Sequence, residues 1–463
     1  MSAPLAASPS TADGAQQRRP APVYALSAAV LGFFVITLDA SVVNVALPDI
    51  RGDFGSGMSG LQWVMDGYTL MFAALLLSAG SLSDRAGARR AFGTGLAVFV
   101  ASSAACGVAP DLATLIIARM VQGLGAAMMT PSSLTLIREA YGDPAKRARA
   151  IGLWTIGGAV AAAAGPVAGG ALNLVSWRMI FFINLPVGLA ALLLLARVAH
   201  SPRREVPMDW AGQIAAVLAM GALTFGVIEA GADGLGAPRV LVSLTISVLA
   251  LAVFVSAQAR GKHPMVPLDL FRSRVVVIAS GTGFAFIGGF QGMVFVYSIY
   301  YQEQRGLSSF ATGLAFVPMT ILSGFVSVLA ARMAERFGPR VPIVGGMLCM
   351  GTGMTVLALL PASTPVWALS LVMLPVGICG PLAMAPTTAV LLDNVPAHRS
   401  GVAAGVFNTS RQLGGALAVA VFGALLAADD DILHGLRESL AITAVMAFVS
   451  AAANLLLVPT RRP

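Results

Sequence analysis

Gly80-Ser81-Leu82-Ser83-Asp84-Arg85-Ala86-Gly87-Ala88-Arg89-Arg90 is a charged stretch wedged between two apolar segments. Its glycines and clustered charges predict a tight loop joining two membrane helices. A weaker copy follows 251 positions later, with Ala331, Glu335, Arg336, Gly338 and Arg340 in place of Gly80, Asp84, Arg85, Gly87 and Arg89. The echo implies a chain built from two related halves.

The rest of the chain agrees with a membrane setting. Of 463 residues 57% are hydrophobic and 11% charged, and the mean hydropathy is +0.83. A soluble domain carries roughly 25% charged residues. The apolar runs last about 20 residues, the length of a membrane helix, and do not alternate as barrel strands do. The expected class is therefore all-α and polytopic. Polar breaks place fourteen spans near 25–47, 61–82, 91–109, 112–137, 150–173, 177–199, 209–230, 238–258, 275–298, 307–331, 341–360, 366–391, 402–427 and 437–458. The cut at 107–111 is required, because a helix running unbroken from 91 to 137 is too long for any bilayer.

The net charge of +8 finds its meaning once the bases are placed. If the N-terminal tail lies in the cytoplasm and the spans alternate, 22 of the 29 lysines and arginines fall on that side, five on the other and two within spans. This is a positive-inside pattern, with both termini cytoplasmic, and it calls for no nucleic acid. Residues 1–24 form a disordered cytoplasmic tail, 25–200 an N-terminal six-helix bundle, 201–274 two additional spans with linkers, and 275–463 a C-terminal six-helix bundle. An even number of spans separates the echoes, so the halves share one orientation and enclose a cavity near the midplane of what is expected to be a monomer in the cell membrane. Cys106, Cys349 and Cys379 lie in apolar runs without paired spacing, so no disulfide framework or metal site is expected.

Four ionisable residues lie within spans away from their ends: Asp39, Asp66, Arg119 and Arg411. Each costs about 2.5–3.5 kcal/mol to insert, which makes each a functional candidate. Asp39 falls near the midplane. Asp66 lies about five residues into its span and is expected to be partly wetted. A carboxyl group that takes up a proton in competition with a cationic substrate is the chemistry that proton coupling needs; a structural Asp39–Arg119 pair is the alternative. Arg119 and Gln122 share a helix face, and the Gly165/Gly169 spacing offers close helix approach while Pro166 kinks the rod. Asn44, Gln122, Met128, Trp154, Asn408, Arg411 and Gln412 are candidates to line the substrate cavity. Tyr300 and Tyr301 are expected at the membrane interface, and Glu229 and Glu303 as solvated helix caps.

Taken together, these segments resemble the major facilitator superfamily, in particular its fourteen-span drug:proton antiporter branch, the EmrB/QacA family. The opening stretch is similar to the cytoplasmic gating motif G-x-L-a-D-r-x-G-r-k at Gly80, Leu82, Asp84, Arg85, Gly87 and Arg89, departing at Ala88. Leu115 to Ala127 is similar to R-x-x-Q-G-x-G-A-A, whose arginine, here Arg119, the family is thought to use in proton transfer. Gly152, Gly165, Pro166, Gly169 and Gly170 resemble the antiporter motif G-x8-G-x3-G-P-x-x-G-G, with Ala161 replacing one glycine. Asp39 to Pro48, including Asn44, resembles the first span of this branch, and Gly401 to Gly415, with Asn408, Arg411 and Gln412, its thirteenth.

The resemblance implies a proton-driven exporter of hydrophobic or cationic compounds, with Asp39, Asp66 and Arg119 in proton coupling. Asp84, Glu335 and Arg336 fall to gating, through a charge network that closes the cytoplasmic face. A symporter for a specific solute and a non-transporting receptor are the other readings. No Walker loop, His-Glu-x-x-His or nucleophile elbow is visible, so an ion gradient is the expected energy source and no cofactor is implied.

Overall fold

The computed structural model describes residues 22–203, 208–261, 264–396, 399–428 and 431–457. The tail through residue 21 lies outside the described residues, as do the bases Arg18, Arg19, Arg204, Lys262, Arg461 and Arg462. The first helices are α1 (Pro22–Phe54), α2 (Met58–Ala86), α3 (Ala88–Gly107), α4 (Leu112–Ala140), α5 (Pro144–Asn173), α6 (Met179–Phe182) and α7 (Asn184–Ala196). Next come α8 (Trp210–Asp233) and α9 (Pro238–Arg260). The remainder are α10 (Arg274–Ile299), α11 (Ser309–Phe337), α12 (Arg340–Leu359), α13 (Val366–Val372), α14 (Leu374–Asp393), α15 (Ser400–Ala428) and α16 (Ile432–Leu457).

Thirteen membrane-length apolar segments are present among the described residues. The expected third span, α3, is a 20-residue helix outside that set, because Arg89, Arg90, Thr94, Ser102 and Ser103 dilute its apolar content. The cut before α4 is real: Asp111 caps α4 by accepting from the Thr114 amide at 2.8 Å. Two expected spans are jointed. Pro186 and Pro375 each lack the N–H that would carry the helix across the break, so α6 gives way to α7 and α13 to α14.

The opening stretch departs from the expected loop. Gly80 to Ala86 are the last two turns of α2, and the turn itself is Gly87 at φ 85°, where a side chain would be strained and would meet Ser201. Glycine at this position lets α2 reverse directly into α3. Gly338, at φ 80°, does the same between α11 and α12, so the echo is structural as well as sequential. The side chain of Ala331 lies outside the described residues.

α4, α5 and α7 pack on α1, with α2 and α3 against α4; α10 pairs with α15, and α12 with α14 and α16. Two seams join these groups, α2 along α15 and α5 along α11. α8 lies over the first seam, touching both α2 and α15, and α9 packs on α8. The antiparallel register of α2 and α15 is fixed at three levels. Gln62 Nε2 donates to Ala420 O at 2.6 Å, Thr409 Oγ1 to Ala73 O at 3.4 Å, and Leu77 lies against Gly405. That register sets Asp66 opposite Ala416.

Candidate functional site

Asp39 lies midway along α1, and it is fully buried. Arg119 of α4 faces it, with Nη1 2.5 Å from Oδ2; Gln122 Nε2 donates to Oδ1 at 2.9 Å. Asn184 Nδ2, at the start of α7, donates to the same oxygen at 2.8 Å. The guanidinium is itself held by Val64 O at 3.1 Å and Gln122 Oε1 at 2.9 Å, and it lies 4.4 Å from the Tyr68 ring centroid. Ser103 of α3 accepts from Asn184 at 2.9 Å. Four helices thus meet at one ion pair, whose charges are compensated on every side. Asn184 is the residue that sequence reasoning passed over, although a lone asparagine within the 177–199 apolar run was its visible signal.

Asp66 is the contrast. The structure buries it fully, correcting the expectation of a wetted carboxylate, and neither of its oxygens has a hydrogen-bond partner among the described residues. α2 begins at Met58, three residues earlier than expected, which takes Asp66 deeper. Its α2 face lies between α15, contacted through Gln62 and Ala73, and α8, contacted where Trp63 meets Phe225. α8 turns Thr224 toward this region of the seam; that side chain is also fully buried and its hydroxyl has no partner. Thr224 gave no sequence signal, because only the helix register brings it to this level.

The small-residue motif divides by neighbour. A Cβ on Gly169 would lie 2.8 Å from Val42 O of α1, and Gly165 lies against Ser41 of the same helix. A Cβ on Gly170 would lie 2.7 Å from both Phe310 Cα and Ser309 O of α11, and Gly313 of α11 abuts the Pro166 carbonyl. α5 therefore seals two interfaces at once. Ala161 is fully buried, so its methyl group is accommodated. Gly152 is exposed with nothing near the position of a Cβ, so close packing does not explain it.

Among the described residues the gating residues form no charge network. Asp84, Arg85, Glu335 and Arg336 are exposed, and none takes part in an ion pair among the described residues. Arg89 alone is engaged: its guanidinium binds the last carbonyls of α7, Leu195 O at 3.3 Å and Ala196 O at 3.1 Å, and a ring nitrogen of His200 at 3.2 Å. The opposite end of the molecule is tied instead. Arg51 pairs with Glu303 at 2.9 Å, and Asn173 of α5 reaches both Asp49 of α1 and, at 2.6 Å, Ser309 of α11. Gln302 Nε2 donates to Val45 O at 3.0 Å. Glu303 is thus a cross-link between α1 and the α10 end rather than a solvated cap, and Glu229 is paired with Arg239.

Other candidates resolve individually. Trp154 stacks on Phe33 at 3.8 Å and donates to Ser133 Oγ at 3.1 Å, as packing between α5, α1 and α4. Met128 is half-buried against Gly95. Asn44 is buried and donates to Ala40 O at 3.2 Å, with Oδ1 unpartnered. Tyr300 and Tyr301 are buried with Tyr297 and Phe316, not at an interface, because the helix continues through a π-turn beyond Ile299. Asn408, Arg411 and Gln412 lie half-buried on one turn of α15. Cys106, Cys349 and Cys379 are free.

Known proteins share this architecture. The solved structure of a D-xylose-proton symporter superposes with a TM-score of 0.69 over 95% of this chain and 99% of its own, at 16% identity. The multidrug resistance protein Stp of Mycobacterium tuberculosis is 37% identical over 87% of this chain and 75% of the relative. The methylenomycin A resistance protein of Bacillus subtilis is 34% identical over 86% of each. Residues 29–419 match the model of the Major Facilitator Superfamily. A fold made of two joined helix groups, an ion pair buried among four helices and relatives named for drug and antibiotic resistance converge: the chain belongs to the major facilitator superfamily and is a membrane transporter, not an enzyme.

Proposed function

We propose that this chain is a proton-coupled antiporter that exports hydrophobic or cationic drugs by alternating access. α3 serves as the fourteenth span, and α8 and α9 are the two helices added between the six-helix bundles. The positive-inside pattern puts the Asp84 end and both termini in the cytoplasm. The conformation is then inward-facing, with the outer end tied by Asp49, Asn173 and Ser309 and the gating charges apart. The relatives named for resistance support export rather than uptake.

The observation that carries the proton coupling is Asp66. An ionised carboxylate with neither cation nor donor beside it is costly in a membrane interior, which makes Asp66, rather than the fully compensated Asp39, the carboxyl suited to take up and release a proton. Asp39, with its three donors, orders Arg119, Gln122 and Asn184 instead of coupling. Opening of the α2–α15 seam toward the outside would let Asp66 exchange its proton as the bundles rock.

Everted vesicles energised by a pH gradient test this with ethidium as cargo. Wild type accumulates the dye, whereas Asp66→Asn inserts normally and loses gradient-driven accumulation. Full accumulation by Asp66→Asn removes Asp66 from the coupling step. Ethidium entering intact cells down the proton gradient would indicate symport.

A further inference from the structure

Among the described residues, Arg411 is a cation without a counter-ion. Its Nη1 donates to Asn408 Oδ1 at 3.2 Å, its Nε is buried with no partner, and no carboxylate pairs with it among the described residues. It lies about 16 Å along α15 from Ser400, at 1.5 Å per residue, which is about half the thickness of a hydrocarbon core. The other arginine in a span, Arg119, is fully compensated. Arg411 is not.

The helix wheel shows where it faces. Thr409 points to α2, Ser410 and Gly414 to α10, and Ala424 to α8. At 100° per residue, the sector left between α10 and α2 carries Asn408, Arg411, Gln412 and Gly415, on the side of the seam away from α8. Gln291 of α10 borders the same sector, its side chain lying over Gly415. The guanidinium stem rests on Gly283, where a Cβ would come within 2.7 Å of Arg411 Cγ. The guanidinium lies 5.7 Å from the Phe407 ring centroid and is held by one amide, Asn408, on the α15 sector between α10 and α2; a cation so placed, short of acceptors, matches an oxyanion carried on an apolar molecule.

We propose that Arg411, with Asn408 and Gln412, binds the carboxylate or acidic enol group of anionic cargo, extending the substrate class beyond cationic and neutral compounds. The inference rests on the export reading only in calling the bound anion a cargo. Binding is therefore measured apart from export, on the full chain in nanodiscs, by calorimetry with 2-naphthoate and its neutral counterpart 2-naphthamide. Wild type is expected to bind the acid about tenfold tighter. Arg411→Gln should erase that preference, and Arg411→Lys should keep part of it.

Equal affinity of wild type for acid and amide overturns the proposal, as does an Arg411→Gln protein that still prefers the acid. Loss of both ligands together with a lower unfolding temperature in Arg411→Gln also overturns it, assigning the arginine to the fold. Repeating the titration in gluconate and in chloride separates an organic-anion site from an inorganic one: naphthoate binding that chloride abolishes at physiological concentration overturns it too. Ethidium export by wild type reads the efflux function independently, so failure there is not confused with failure here.

Discussion

Two carboxylates within one bundle behave as opposites because of what faces them. Asp39 has an arginine and two amides, while Asp66 has neither. Removing the charge at Asp39 strands a buried Arg119, at a cost of about 3–5 kcal/mol. Asp39→Asn is therefore expected to lower the unfolding temperature and the yield of inserted protein, whereas Asp66→Asn leaves both near wild type; thermal unfolding of the two purified variants checks this. Carboxylates outside the spans titrate elsewhere. A hydrogen bond from the Arg399 side chain holds the Asp269 carboxyl below its ordinary value, and the Thr114 amide does the same for Asp111. A depressed value means that their contribution is fully present above the unfolded value of about 4 and is lost only as pH falls through the folded one. Between pH 5 and 8 they stay ionised, so a transport rate that varies in that window should be unchanged in its midpoint by Asp269→Asn. A shifted midpoint would place a coupled group in the linker.

Helices show where sequence patterns suffice and where they fail. Asp39, Arg119 and Gln122 were legible, because polar side chains in apolar runs stand out and an i, i+3 spacing fixes a shared face. The charged stretch after Gly80 was misread as a loop, since charge alone does not end a helix; the φ of Gly87 does. Thr224 and the burial of Asp66 were not legible, because both depend on how α8 settles over the α2–α15 seam. The glycine motif of α5 gives a test at this scale. Gly152→Ala should be tolerated and add up to about 1 kcal/mol of helix propensity, having open space for its methyl group. Gly169→Ala should disrupt α1–α5 packing, and Gly170→Ala should reduce transport with less loss of stability, because its methyl group meets α11 rather than its own bundle. Unfolding temperature and ethidium export, measured for all three, separate these effects; equal behaviour at Gly152 and Gly170 would remove the assignment of separate faces to α5.

At the scale of the whole molecule, the two ends of the bundle interface differ in kind. The end bearing Asp49 is tied by hydrogen bonds through Asn173, Ser309 and Gln302 and by the Arg51–Glu303 pair, while at the other end Asp84, Arg85, Glu335 and Arg336 are exposed and join no ion pair among the described residues. Exposed pairs contribute little each, about 0–1 kcal/mol, so such a latch holds closed without being costly to open. That balance is what a rocking transporter needs, since a deeply buried lock would trap one state. Replacing Asn173 and Ser309 by cysteine and bridging them with a short bifunctional thiol reagent should hold this end shut. Ethidium export in vesicles is then expected to stop on cross-linking and to return on reduction, while either single cysteine variant continues to export in the presence of the reagent. Undiminished export with the bridge in place would mean that α5 and α11 do not separate here during turnover, and the rocking motion would have to be sought along the α2–α15 seam alone.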